Sequence, residues 1–224
     1  MAASALPLPA PARQKTVLVT ANKGGCGKTT TCVHLLTAAV HQKLSVVGVD
    51  LDLQHNLAKW AKRRPPGMDP VTVIEGTMEG YQQALARTEG YDLVIIDTPP
   101  GIDAHLREAT ALARTADLVL IPTSIDVFDL EVVVPYAAAL GKARGSKPHF
   151  VLNRIDTRIM NAEVTEAQAT LARAGRVAPI VIPTLIDISR YMRGGMSLLD
   201  ISAKRGVTNI NGVWNYVSEE VGLG

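Results

Sequence analysis

The stretch "NKGGCGKTT", residues 22–30, has the spacing of a phosphate-binding loop with one departure. The usual pattern is G-x-x-x-x-G-K-[ST], and Asn22 stands where its first glycine is expected. Within this pattern Lys28 would bridge the β- and γ-phosphates of a nucleotide, and the Thr29 hydroxyl would ligate Mg²⁺. Three glycines would let backbone N–H groups point at phosphate oxygens, and they are Gly24, Gly25 and Gly27. The pattern does not explain a second lysine, Lys23.

Three aspartates follow two strongly apolar runs. The stretch "VDLDLQHN" contains Asp50 and Asp52, and "LVIIDTPPG" carries Asp97 at the end of its apolar run. An apolar strand that ends in aspartate has the form of a Walker B strand, whose carboxylate holds the magnesium shell. Strand-end aspartates also cap the turn or helix that follows, and for Asp50 and Asp97 this alternative stays open. The order of loop and carboxylates predicts a site for a nucleotide with magnesium.

These residues must be positioned by a sheet, because short apolar runs alternate with helical stretches along the chain. Several runs are apolar almost throughout, as in parallel strands covered on both faces. The predicted strands are 16–21, 45–50, 71–74, 92–97, 117–122, 149–153 and 178–183. The predicted helical segments include 28–43, 105–115, 129–143 and 161–174. The expected fold is a single α/β domain with a doubly wound, mainly parallel sheet, helices on both faces, and ligands at the carboxyl ends of the strands.

Composition limits the class of protein. The 224 residues suit one domain, predicted at 15–224, after an Ala/Pro-rich flexible tail at 1–14 that does not look like a secretory signal. No apolar run approaches the roughly 20 residues of a membrane span. Cys26 and Cys32 are poorly placed for a disulfide, which favours a reducing cytoplasm. The net charge of +2 means that nucleic-acid binding would need a local basic patch or an oligomer.

The stretches "KGGCGKTT", "DLDLQHN" and "VIIDTPPG" resemble the deviant Walker A, Walker A′ and Walker B motifs of the ParA/MinD family of ATPases, and the resemblance covers essentially residues 15–205. It implies a P-loop NTPase that holds ATP or ADP and Mg²⁺. The implied nucleotide-binding loop residues are Lys23, Gly24, Gly25, Cys26, Gly27, Lys28, Thr29 and Thr30. In this family the extra lysine, here Lys23, reaches across a two-fold dimer to the partner's ATP, where it neutralises charge as an arginine finger does. The alternative is a solvated loop lysine.

The resemblance implies further roles at the strand ends. Asp52 would position or polarise the attacking water, so that the implied catalytic residues are Lys23, Lys28 and Asp52. Asp50 would support the magnesium region, and the implied metal residues are Thr29, Asp50 and Asp97. Leu53 stands where the family usually has proline, a departure that leaves the neighbouring carboxylate in place.

Two later residues would contact the base. Asn153 matches the asparagine that reads the adenine edge in the family, although a plain strand-end turn residue is the alternative. Pro183 begins a segment that in relatives lies near the base and the dimer edge. Trp60 is expected to pack and to take no part in chemistry.

Features around the core separate the subgroups of the family. MinD-like members end in a basic amphipathic membrane helix, whereas "NGVWNYVSEEVGLG" has two glutamates and no lysine or arginine, so no membrane attachment is expected. Nitrogenase iron-protein relatives need cysteines outside the loop. Larger ParA proteins add a helix-turn-helix that fourteen N-terminal residues cannot supply. The remaining subgroup is the short ParA-like class. Its members partition plasmids or chromosomes, or space other cargo over the nucleoid.

Members of that class bind nonspecific double-stranded DNA as the ATP homodimer, so a basic surface is expected on this chain. The main candidates for contacting DNA are Lys142, Arg144, Lys147, Arg158, Arg190 and Arg193. Arg154, Lys204 and Arg205 are further basic residues in the same regions. Scattered charges that only keep the protein in solution are the alternative.

Two functions of different class remain. The first is an ATP-dependent dimerisation switch with slow hydrolysis, cytoplasmic and nucleoid-associated, which a ParB-like or cargo-adaptor protein stimulates. The second is a metabolic enzyme that activates a small carboxylate with ATP, as dethiobiotin synthetase relatives do. Lys23 and the lack of a long substrate-binding insertion favour the first. A switch that acts on a flagellar or cellulose-synthesis machine would differ only in its partner.

Overall fold

A computed structural model describes residues 13–156, 158, 161–201 and 205–223. Seven strands form one sheet in this part of the chain. They are β1 (Lys15–Val19), β2 (Val46–Asp50), β3 (Thr72–Glu75), β4 (Leu93–Asp97), β5 (Leu118–Thr123), β6 (His149–Ile155) and β7 (Arg176–Pro183). Their order is β3-β2-β4-β1-β5-β6-β7, and all the described pairings are parallel. The predicted doubly wound α/β sheet is confirmed.

Helices connect the strands. They are α1 (Lys28–His41), α2 (Asn56–Lys62), α3 (Tyr81–Ala86), α4 (Leu106–Thr115), α5 (Val127–Arg144), α6 (Asn161–Leu171), α7 (Ile186–Arg193) and α8 (Val207–Val221). The predicted segments match α1, α4, α5 and α6 with shifts at the ends. Helix α1 ends before the predicted residue 43 because Lys43 has a φ of 62°. Helix α5 starts before the predicted residue 129 because the Asp126 carboxylate accepts a 2.9 Å hydrogen bond from the Phe128 N–H.

The two faces of the sheet carry separate cores, as the alternation of side chains along β1 shows. Leu18 packs into a core with α4 and α5, whereas Val17 and Val19 pack into a core with α1 and α8. Both faces are therefore covered by helices. Trp60 is buried on the α1 side and donates a hydrogen bond to the Met196 carbonyl at 3.3 Å, so it packs as expected.

The residues before β1 contact the domain. The Gln14 side chain donates hydrogen bonds to the carbonyls of Thr88 and Tyr91 at 2.6 and 3.0 Å, and Arg13 pairs with Asp117 at 3.4 Å. The rest of the predicted tail, residues 1–12, and the basic candidate Lys204 lie outside the described residues. Of the described helices, none is both long enough and apolar enough to cross a membrane.

Candidate functional site

The phosphate-binding loop connects the end of β1 to the start of α1, at the carboxyl edge of the sheet. Gly27 precedes the helix with a φ of 100°, a conformation that suits glycine and few other residues. A Cβ atom on Gly27 would also lie 1.9 Å from the amide nitrogen of Asn153. The loop therefore needs glycine here for its backbone angle and for its contact with β6.

Lys28 is buried, and its ammonium group donates to the Lys23 carbonyl at 3.1 Å, which folds the loop over the lysine. The loop borders a cleft of about 360 Å³. The predicted residues that line this cleft are Gly24, Gly25, Gly27, Lys28, Thr29, Thr30 and Asp52. Burial raises the pKa of the Cys26 thiol, so Cys26 contributes its backbone to the loop and its side chain stays neutral.

Lys23 has a different environment from Lys28. Its side chain is 50% exposed and its ammonium group pairs with the carboxylate of Asp129 in the first turn of α5. Ser124 donates to the other oxygen of that carboxylate at 2.6 Å. The hydrogen bond to Asp129 raises the pKa of Lys23, which is therefore a cation at neutral pH. These two partners were missed in the sequence, although the acidic stretch at the end of β5 was a signal for them.

Asp97 ends β4 and is buried, and neither of its carboxylate oxygens has a hydrogen-bond partner among the described residues. Burial raises the pKa of Asp97 to about 7, and the nearby charge of Asp50 acts in the same direction, against the Thr29 hydroxyl and the Lys28 ammonium group. A buried carboxylate needs a partner, because an unpaired one is costly. A magnesium ion held by Asp97 and Thr29 fits this arrangement, because hard cations prefer oxygen ligands.

Asp50 is also buried, but both of its carboxylate oxygens are in use. One accepts from the Asp52 N–H at 3.2 Å and the other from the Ala58 N–H at 3.0 Å. For Asp50 the structure thus favours the capping alternative over direct contact with a metal. Asp50 fixes the turn that carries Asp52, and one Asp52 oxygen accepts from the Gln54 N–H at 2.9 Å. The second Asp52 oxygen makes no hydrogen bond to the described residues.

A second cleft, of about 390 Å³, shares Gly25, Gly27 and Thr30 with the first and includes Asn153 and Pro183. The geometry of this pair of clefts suits a nucleotide whose phosphates lie in the first and whose base lies in the second. The two clefts thus meet at the phosphate-binding loop.

The Asn153 amide is occupied within the protein. It donates to the Cys26 carbonyl at 2.9 Å and accepts from the Arg154 N–H at 2.9 Å. Arg154 has a φ of 59° and donates to the Gly25 carbonyl at 2.8 Å. Arg154 was grouped with the basic surface from its sequence, yet it belongs to the site. Its position directly after Asn153, at the end of a strand, was the available signal.

Several of the side chains that were expected to form the basic surface already have partners within the protein. The guanidinium of Arg144 donates to the Ala116 carbonyl at 3.0 Å and to the Asp117 carbonyl, so this candidate anchors the end of α4. Arg158 pairs with Asp156 and Arg190 with Asp187, both at the exposed surface. Four of the six main candidates make no ion pair among the described residues, and they are Lys142, Arg144, Lys147 and Arg193. Of these, Arg144 is held by its hydrogen bonds to the end of α4.

Known proteins are similar to this chain in sequence and in fold. The model of the CobQ/CobB/MinD/ParA nucleotide binding domain matches residues 17–198. The chain is 33% identical to "Maintenance of carboxysome distribution protein A" of Gloeobacter kilaueensis over 75% of each protein. It is 29% identical to the chromosome-partitioning ATPase Soj of Thermus thermophilus, over 84% of this chain and 88% of Soj.

One solved structure shows the fold likeness. The septum site-determining protein MinD of Pyrococcus horikoshii, complexed with Mg-ADP, superposes with a TM-score of 0.76 at 19% identity. The superposition covers 94% of this chain and 98% of MinD. With the loop, the Walker B aspartate and the matched family model on one chain, the conclusion is that it belongs to the ParA/MinD family of ATPases.

Proposed function

We propose that the protein is an ATP-dependent dimerisation switch, and the observation that carries the proposal is the position of Lys23. Lys28 already supplies a buried cation to the phosphate cleft, whereas Lys23 is half exposed and lies outside the residues that line that cleft. Because Lys23 does not line the phosphate cleft of its own subunit, its charge is suited to contact the nucleotide bound by another subunit. It would then complete the charge neutralisation that hydrolysis needs.

Exposed apolar side chains at the same edge of the sheet support a dimer. Leu53 is 77% exposed, Phe128 68% and Ile186 76%. They follow the carboxyl ends of β2, β5 and β7, which is the edge that carries the phosphate-binding loop. Apolar groups gathered on one face are typical of an interaction surface, and two-fold pairing of this face would bring two nucleotide sites together.

Within one subunit the residues divide the chemistry. Backbone N–H groups of the loop and Lys28 would bind the phosphates, and Asp97 with Thr29 would hold the magnesium ion, which neutralises phosphate charge when it is bound. Asp52 would orient the attacking water from its turn beside the cleft, and Asp50 would keep that turn in place. Asn153 and Pro183 line the cleft that we assign to the base.

The ATP dimer would bind nonspecific DNA and position a cargo on the nucleoid. The names of two relatives, a chromosome-partitioning ATPase and a carboxysome distribution protein, support a positioning role. Lys142, Lys147 and Arg193 would contribute to the DNA surface, and each phosphate contact adds roughly 0.9 to the slope of log affinity against log salt. A ParB-like or cargo-adaptor protein would stimulate hydrolysis and release the dimer.

The test measures dimerisation and DNA binding together. Light scattering and binding to a nonspecific duplex would be recorded at low and moderate salt with ADP, with ATP, and with ATP on the Asp52→Ala variant. We expect the wild type to form a dimer and to bind DNA in a salt-sensitive way with ATP but not with ADP. The Asp52→Ala variant should remain bound to the DNA in the presence of ATP. If ATP binds without either effect, while a small carboxylic acid makes turnover faster, the metabolic alternative replaces the switch.

A further inference from the structure

The end of β1 and the start of the phosphate-binding loop lie along one face of α5. Three side chains make the contacts, and the helix residues that they reach are three and four positions apart, which is the spacing of one helical face. The contacts are Thr20 with Tyr136, Asn22 with Val132 and Lys23 with Asp129. The path of the chain into the loop is therefore set against α5 at several points.

The middle contact belongs to Asn22, which stands where the common phosphate-loop pattern has its first glycine. The amide nitrogen of Asn22 donates to the Val132 carbonyl at 3.0 Å, across 110 residues of the chain. A carbonyl oxygen has two lone pairs, so one inside a helix can accept a side-chain donor besides its helical one. Glycine has no side chain and could not make this contact.

The Asn22 contact lies one residue before the carbonyl that holds Lys28. The Lys28 ammonium group donates to the Lys23 carbonyl at 3.1 Å, and the Cys26 thiol donates to the same oxygen at 3.4 Å. Lys28 is only 7% exposed, so protein groups rather than bulk water must hold its ammonium group. A chain of contacts thus runs from α5 through Asn22 and the Lys23 peptide to Lys28.

The Asn22 amide should contribute little to stability. Its oxygen is buried and has no hydrogen-bond partner among the described residues. An unpaired buried oxygen destabilises the folded state, which offsets the gain from the bond to Val132. We therefore expect the effect of Asn22 to be on the position of the loop and not on the free energy of unfolding.

We propose that Asn22 is a positioning residue for nucleotide binding, which holds the start of the phosphate-binding loop on α5 so that Lys28 meets the β-phosphate. Lys28 would contact the phosphate itself. Asn22 is not among the residues that line the two nucleotide clefts, so it would act through the Lys23 peptide without touching the nucleotide. The inference concerns the site of one subunit and does not rest on dimerisation.

The first experiment measures ADP affinity by isothermal titration calorimetry with Mg²⁺ present. The variants are Asn22→Ala, Asn22→Gln, which retains the amide donor, and the matched control Asn209→Ala. The Asn209 amide also donates to a main-chain carbonyl, that of Val181 at 2.8 Å, but Asn209 lies in α8 and lines neither cleft. We expect Asn22→Ala to bind ADP about tenfold more weakly than the wild type, because a displaced ammonium group loses a charged hydrogen bond to phosphate. Asn22→Gln should recover most of the affinity, and the control should stay within about twofold of the wild type.

Two further measurements separate position from folding. Urea unfolding should give Asn22→Ala the stability of the wild type, and Asn209→Ala a lower one, because the control loses a hydrogen bond. Brief acetylation of the nucleotide-free proteins, followed by mass spectrometry, reports how well Lys28 is held. Lys28 should react severalfold faster in Asn22→Ala than in the wild type, whereas Lys62, an exposed lysine, should react equally in every variant.

Binding of ADP by Asn22→Ala within about twofold of the wild type would overturn the proposal. So would a loss of ADP affinity with unchanged acetylation of Lys28, because Asn22 would then act by another route. Equal losses in Asn22→Ala and Asn22→Gln would also count against it, since the amide donor would not be the cause. These assays contain no ATP, the nucleotide for which a dimer is proposed, so either proposal can fail while the other stands.

Discussion

The ammonium group of Lys23 pairs with the carboxylate of Asp129 inside one subunit, and Ser124 holds the same carboxylate from its other oxygen at 2.6 Å. Lys23, which we propose reaches the nucleotide site of a second subunit, is therefore paired within its own subunit and would first have to break this ion pair.

The first prediction concerns Lys23. Lys23→Ala should bind ATP normally, because Lys23 does not line the phosphate cleft, but should not dimerise, and its turnover should fall at least tenfold. Light scattering and a phosphate-release assay measure the two effects, with Lys62→Ala, an exposed lysine paired with Glu75, as the control.

The second prediction concerns Asp129. Asp129→Asn removes the charge that holds Lys23, so dimerisation should occur at a severalfold lower ATP concentration than in the wild type. Titration of ATP with detection by light scattering gives the midpoints. A midpoint that moves to higher ATP would show that Asp129 supports the dimer and does not compete with it.

The third prediction concerns Gly27. Gly27→Ala should destabilise the fold by about 1–3 kcal/mol and abolish nucleotide binding, because Gly27 has a φ of 100° and a Cβ there would meet Asn153. Gly67→Ala is the matched control: its φ is 90°, but no atom of the described residues lies within 4 Å of the added atom. The control should lose stability and keep its affinity for ATP. Urea unfolding and fluorescent-nucleotide binding separate the two effects.

The fourth prediction concerns Asp97. Asp97→Asn removes a buried carboxylate that makes no hydrogen bond to the part of the chain the structure describes, so the nucleotide-free protein should become more stable by about 1–3 kcal/mol. The same variant should lose the magnesium dependence of ATP binding. Denaturant unfolding without metal, and nucleotide titrations with and without Mg²⁺, provide the readouts. A destabilised, magnesium-responsive variant would contradict the assignment of Asp97 to the metal.

The fifth prediction concerns pH and His34. Burial lowers the pKa of His34 to about 4, against the opposing effect of its 2.7 Å bond with the Thr30 carbonyl. The Leu198 N–H donates to the other ring nitrogen at 3.5 Å, so the ring is neutral and carries its proton on Nδ1. Because the folded pKa lies below the unfolded value of 6.5, the stability from this group is complete above pH 6.5 and is lost as the pH falls towards 4.

The expected loss of stability from His34 can be estimated and compared with a control variant. Between pH values of about 7.5 and about 5, His34 should cost the wild type about 2 kcal/mol of unfolding free energy. His34→Gln should not show this part of the pH dependence, whereas His105→Gln, at a partly exposed site, should retain it. Urea unfolding across the range measures the slopes. Parallel slopes for the wild type and His34→Gln would contradict the prediction.

The sequence predicted those parts of the site that local patterns determine. The strands were visible because parallel strands covered on both faces are apolar throughout, and the loop and Asp97 follow from their place at strand ends. The contacts that Arg154 and Arg144 make within the protein were not visible. Arg154 finds the Gly25 carbonyl across 129 residues and Arg144 the carbonyls that end α4 across 28, and such contacts depend on how the helices and strands pack. Asp50 and Asp97 looked alike in sequence, and only the backbone turn after β2 distinguishes them.

The central place of β1 sets when the protein can acquire its activity during synthesis. This strand, which leads into the phosphate-binding loop, pairs with β4 through residues 93–97 and with β5 through residues 118–120. During synthesis β1 thus lacks at least one of these two partners until the chain has been made as far as residue 120. We expect a nascent chain shorter than this to lack the ordered phosphate-binding loop, so an incomplete product of translation should not compete with the finished protein for ATP.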